Sequence, residues 1–256
     1  MGILFPVMGF LIIDLYFNLI PHFIPLGTVP WLLYAAFFFV LARHVARLTG
    51  LNGIRDLGMK AHYGWKRNLR IGFVYGTVIW ATMYMLLWIF GNIRVTGVKV
   101  APESVIFLIE ALAGMFLGSL INDLIVRGYV FAHLKDKIPS LLLLLLSAMI
   151  YAVDDVWLAG FNVQNTVFSM ILGLSLGYTL LKTGSIWMST GIHWGQNVMY
   201  GFVYGIPGRE GERGLLLTEQ GPGNSFILNN AHIFAALMLL LVVFFTYSRF
   251  RINTVN

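Results

Sequence analysis

Cysteine is absent from the 256 residues, which excludes disulfides, thiolate metal sites and cysteine nucleophiles. Charge is nearly as scarce. Asp, Glu, Lys and Arg make up 11% of the chain, against about 25% in a soluble domain, too little to coat a water-facing surface. No H-E-x-x-H zinc signature, internal repeat or low-complexity tract is present. What is abundant is apolar: 58% of residues are hydrophobic and the mean hydropathy is +0.79. These residues come in blocks near the roughly 20 that a bilayer core requires. The composition therefore predicts an integral membrane protein. The net charge of +6 comes mostly from basic residues flanking apolar runs, so it is read as a topology signal, with no nucleic-acid partner.

Eight apolar segments can be marked, at residues 4–20, 29–46, 71–90, 104–132, 141–158, 167–181, 186–204 and 226–247. Lipid leaves open backbone groups unsatisfied, so each is expected to be helical. The expected fold is an all-α, polytopic bundle of about eight transmembrane helices, forming one domain over residues 1–256. The first run lacks a basic flank and a small-residue cleavage site, and is expected to be a retained helix. An even number of spans puts both termini on one side. Twelve Lys and Arg residues fall there and four on the other, the latter being Arg94, Lys99, Arg209 and Arg213, with Arg127 inside a span. The bias predicts both termini in the cytoplasm, in a multi-pass cell-membrane protein. Residues 49–68 form the main inner loop, amphipathic around Trp65, and residues 206–224 the main outer one. Glycines spaced by four at Gly114/Gly118, Gly173/Gly177 and Gly201/Gly205 are read as sites of close helix packing.

Ionisable groups inside a span cost about 2.5–3.5 kcal/mol each or more, so they need partners or a wet cavity. Three clusters meet this description. Asn122 and Asp123 precede Arg127, and the four-residue spacing of Asp123 and Arg127 puts them on one helix face, either as a self-neutralising pair or as part of a site. Tyr151 is followed by Asp154 and Asp155, adjacent carboxylates that repel unless solvated at the interface or relieved by a cation. His193 and Asn197 share a face of the seventh segment. Three helices each donating an i,i+4 pair suggest one convergent cavity. Asp14 and Glu110 lie in spans without an evident partner, and His22, His44, His62, His133 and His232 lie near segment ends.

At these residues the chain resembles the CPBP family (CAAX proteases and bacteriocin-processing enzymes, also called Abi). That family carries Glu-Glu-x-x-x-Arg, Phe-x-x-x-His and His-x-x-x-Asn on successive core helices. Here the pattern reads Asn122-Asp123-x-x-x-Arg127, Tyr151-x-x-x-Asp155 and His193-x-x-x-Asn197. Arg127-Gly-Tyr-Val-Phe, Thr183-Gly-Ser-Ile-Trp and the Gly-Leu-Leu-Leu to Gly-Pro-Gly run after the seventh segment also look like the family, over roughly residues 57–245. The resemblance implies an intramembrane endopeptidase in which the leading Glu activates water, the second-motif His assists, and the third-motif His and Asn stabilise the oxyanion. Arg127, His193 and Asn197 match. The proton-transfer positions differ: an amide at Asn122 is no base near neutral pH, and Asp155 stands where the family has His. Asp123 is one carbon shorter than Glu and paired with Arg127, which makes it a poorer substitute.

The leading expectation is a catalytically degenerate homologue, a pseudoenzyme that binds another membrane protein or a membrane-associated peptide. The alternative is an active endopeptidase with a non-standard site, Asp155 acting as base and His193 as acid. No cofactor is expected; a divalent metal, if present, would draw on Asp123, Asp155 and His193. A proton or ion transporter is the third reading, and the lack of repeats or broken helices speaks against it.

Overall fold

A backbone in hydrocarbon must bond within its own segment, and all eight apolar segments are helices in the computed structural model, which describes residues 3–24, 27–100, 102–206 and 213–249. Arg209 and Arg251, counted in the charge bias, lie outside the described residues. The long helices are α1 (Leu4–Phe23), α2 (Thr28–Leu48), α3 (Trp65–Ile89) and α4 (Glu103–Asp123), continued through a wider π turn (Leu124–Tyr129) into α5 (Val130–Leu134). After these come α6 (Ser140–Asp154), the single turn α7 (Val156–Ala159), α8 (Val163–Thr183), α9 (Trp187–Tyr204) and α10 (Ser225–Arg249). Among the described residues, six helical stretches are long and apolar enough to cross a membrane. The other two are the short α6 (15 residues) and α9, which carries Ser189, Thr190, His193, Gln196 and Asn197 along its length. The architecture is the expected all-α polytopic bundle.

Two elements differ from the sequence reading. α3 begins at Trp65, not Ile71, because its basic first turn, Lys66 to Arg70, carries the helix beyond its apolar stretch. Residues 206–224 are more than a loop: β1 (Ile93–Val98) pairs antiparallel with β2 (Leu216–Gln220), Ile93 opposite Gln220 and Val98 opposite Leu216. A bulge between Val95 and Gly97 bends the ribbon. This pairing puts the α3–α4 and α9–α10 connections on one side of the bundle, as the alternation of spans requires.

α3 and α9 form the spine. A Cβ on Gly72 or Gly76 would run into the backbone carbonyls of Met188 and Ile192, and one on Gly191 or Gly195 into those of Leu69 and Phe73. Only glycine permits this approach, and the close contact gains dispersion energy that lipid cannot supply. The core beside it is built from Trp80, Ile121, Leu124, Leu172, Leu176 and Ile192, each nearly inaccessible. Phe37, Val78, Leu141 and Leu241 stay exposed on outward faces, as acyl chains require. Gly173 packs on Ala148, Gly177 on Leu144 and Gly201 on Met115, so these positions are packing sites. The Gly114/Gly118 expectation fails: a Cβ at either would meet nothing within 4 Å.

Candidate functional site

Asp123 is the hub of the buried polar network. It ends α4, is fully buried, and its carboxylate accepts from four side chains. Arg127 Nη1, one turn on, pairs with Oδ1, and His193 Nδ1 lies 3.4 Å from the same oxygen. Ser189 Oγ and Thr190 Oγ1 donate to Oδ2 at 2.8 and 2.9 Å. Four donors on one carboxylate compensate much of its desolvation. The π turn begins directly after Asp123, and such turns often mark functional positions. Inside it Gly128 passes so close to the Leu57 carbonyl that a Cβ would not fit.

Tyr151 of α6 completes the cluster. Its ring lies 4.4 Å from the Arg127 guanidinium and edge-on to His193, with ring centroids 5.8 Å apart. Its hydroxyl is 3.5 Å from His193 Nε2, at the limit of a hydrogen bond. Arg127 Nε and Nη2 make no hydrogen bond, so the ring face is a large part of what compensates that cation. The first, second and third motifs are therefore brought together through Asp123, Arg127, Tyr151 and His193, as packed side chains.

Asn122 points into a second cluster. Its amide Nδ2 donates to Asp154 Oδ2, and Asn18 Nδ2 donates to the other oxygen, Oδ1, at 2.7 Å. Asn18 also reaches Asp14 at 3.3 Å. Asp14 thus has a partner, contrary to the sequence reading, which could not pair α1 with α6. Glu110 likewise accepts from Thr28 Oγ1 at 2.6 Å. Asp154 is 6% exposed, buried and bonded, not solvated at an interface.

The remaining motif residues diverge. Asp155 lies just past the end of α6 and accepts from Asn165 Nδ2 at 2.7 Å and Ser169 Oγ at 2.6 Å, both on α8. Asn197 sits one turn beyond His193 and donates to Ser119 Oγ at 3.1 Å. Among the described residues no three His, Cys, Asp or Glu side chains group as a metal site, so Asp123, Asp155 and His193 are not assembled as a ligand set. Of the end-of-segment histidines, His133 is buried between the Tyr129 and Thr49 carbonyls, not solvated. Ser189, Thr190, Asn18 and Ser119 were missed from sequence. Ser189 was legible: it is four residues before His193, on the same face.

The fold and site define a polytopic membrane bundle with a polar centre built on α4, α6 and α9. Residues 104–199, which contain all seven motif positions, match the family described as Type II CAAX prenyl endopeptidase Rce1-like. The match agrees with the family resemblance read from the motifs and covers less than half of the chain. No curated protein and no solved structure matches the chain.

Proposed function

We propose that this chain is a CAAX-protease-like membrane protein that retains the family's central cavity for binding and has lost efficient hydrolysis. Its ligand is a membrane-associated peptide or the end of another membrane protein, held from the cytoplasmic side of the cell membrane, where both termini also lie. The observation that carries the reading is the state of the three groups at the proton-transfer positions. Asn122 is an amide, Asp123 is saturated by Arg127, Ser189, Thr190 and His193, and Asp155 is taken up by Asn165 and Ser169. General acid–base assistance is typically worth 10²–10⁴-fold, and the hydrogen bonds that occupy Asp123 and one oxygen of Asp155 support a weakened version of it. Gly114 and Gly118, on the α4 face that runs to Asn122, have no atom within 4 Å of where a Cβ would stand, so that face is open to close approach.

The test is cleavage and binding of a fluorescent prenylated peptide by the full chain in liposomes. Binding without cleavage is the expected result, and Asn122→Glu with Asp155→His is expected to raise cleavage.

One observation favours a second reading, an active endopeptidase. The Asn122–Asp154 hydrogen bond puts a carboxylate one amide away from the family's base position. In that reading Asp154 is the displaced general base. Cleavage by the native chain that Asp154→Asn abolishes would establish it and overturn the binding-only reading.

A further inference from the structure

The connection between α2 and α3 contains a cavity remote from the polar centre. Its volume is about 550 Å³, and His62, Tyr63, Trp65, Lys66, Arg67 and Arg70 line it. The walls are fixed in place. His62 Nε2 is 2.9 Å from Ser185 Oγ, and Trp187 Nε1 donates to the Lys60 carbonyl at 2.8 Å. Trp65 packs on Trp187 with centroids 4.7 Å apart, and Lys66 Nζ sits 5.6 Å from the Trp65 ring. The loop is thus preformed against the start of α9.

The charge of this cavity is uncompensated. No carboxylate occurs in sequence between Asp56 and Glu103, and Asp56 is engaged by the backbone and amide of Asn52. Among the described residues, Lys66, Arg67 and Arg70 have no ion-pair partner. Gly64 precedes α3 and offers no side chain to its first backbone N–H groups, which add a further positive field. A topology signal needs only loose surface cations. An open, cation-lined pocket whose His62 and Trp65 walls are held against Ser185 and Trp187 exceeds that need.

The same helix face says what kind of anion fits. Below Arg67 and Arg70, at helical spacing, lie Val74, Val78 and Met85, 52%, 55% and 51% exposed. A charged head above an open apolar track has the shape of one phospholipid, phosphate in the cavity and one acyl chain along α3. We infer that this cavity is a binding site for the phosphodiester headgroup of an anionic phospholipid. The headgroup would sit on the α2–α3 connection, which Trp65 and the Lys60 carbonyl already hold against Trp187 at the start of α9.

The experiment uses the full chain, delipidated in neutral detergent. Binding of dioleoyl phosphatidylglycerol is measured by native mass spectrometry, with dioleoyl phosphatidylcholine and inorganic phosphate as parallel probes. Phosphatidylglycerol is expected to bind in preference to both. Replacing Lys66, Arg67 and Arg70 together by Gln is expected to weaken it by about 100-fold, at about fivefold per charge. Lys135→Gln with Lys137→Gln, on another basic connection, is expected to leave binding unchanged. All three altered cavity residues are exposed, and circular dichroism checks that the variant keeps its helices. Equal binding of the two lipids, unchanged binding by the triple variant, or equal occupancy by inorganic phosphate at matched concentration would each overturn the assignment, the last in favour of a soluble phosphate ligand.

Discussion

The side-chain amide of Asn122 on α4 donates to the carboxylate of Asp154 on α6, so the first position of the Asn122-Asp123-x-x-x-Arg127 motif is tied to the end of α6. Where the resembled motif carries Glu, this chain has an amide, and its hydrogen-bond partner is a carboxylate on the neighbouring helix. The Asn18 amide holds the other oxygen of Asp154, so this carboxylate is bound on both sides.

The bond predicts a charge-swap rescue. Asn122→Asp alone puts two carboxylates at hydrogen-bond distance in a dry site and is expected to destabilise the chain by about 1–3 kcal/mol. Adding Asp154→Asn restores an amide–carboxylate pair with its polarity reversed. Thermal unfolding in detergent of the two single variants and the double variant closes the cycle, and a coupling of about 1 kcal/mol or more is expected. Simple additivity of the two changes would show that the bond contributes nothing.

Removing the hub leaves a stranded cation. Asp123→Ala deprives Arg127 of its counter-charge at a position with no solvent exposure, and the expected loss is about 3–5 kcal/mol. Asp123→Leu with Arg127→Met removes both charges together and is expected to recover most of that loss. Unfolding midpoints of the three variants test this, and a double variant no better than Asp123→Ala would show that the pair's geometry, not its charge balance, holds the centre.

Much of this arrangement was legible in the sequence, and the limits are physical. Helix number followed from the length of the apolar runs, because hydrocarbon leaves no other way to satisfy the backbone. The Asp123–Arg127 pair followed from its four-residue spacing. What spacing cannot show is rotation between helices. It could not tell that Asn122 and Asp123, adjacent in the chain, face different clusters, or that Asp155 turns to α8 while Asp154 turns to α1 and α4. Nor could a pair of glycines declare what lies opposite it. The tightest helix contact uses Gly72/Gly76 against Gly191/Gly195, while Gly114/Gly118, equally regular in sequence, borders open space.

That contrast is itself testable. Gly76→Ala drives a methyl into the Ile192 carbonyl and forces α3 and α9 apart, at an expected cost of about 1–3 kcal/mol. Gly114→Ala meets no atom within 4 Å and is expected to be neutral or slightly stabilising, since alanine favours helix over glycine by about 1 kcal/mol. Thermal unfolding in one detergent compares them directly. Equal effects would mean that the glycines matter for helix propensity and not for the distance between α3 and α9.

Tyr151 separates ring from hydroxyl. Its hydroxyl lies 3.5 Å from His193, too far for a strong bond, whereas its ring covers the Arg127 guanidinium at 4.4 Å. Tyr151→Phe keeps the ring and is expected to cost less than about 1 kcal/mol, because a marginal hydrogen bond contributes little. Tyr151→Ala uncovers a buried cation and opens a cavity, and is expected to cost about 3–5 kcal/mol. The size of the gap between the two variants therefore separates the two accounts of the residue. If unfolding measurements show Tyr151→Phe nearly as damaging as Tyr151→Ala, the hydroxyl and its contact with His193 organise the centre. If only Tyr151→Ala is damaging, the residue works as the lid on Arg127, and the position tolerates Phe, the residue type that the resembled motif carries there.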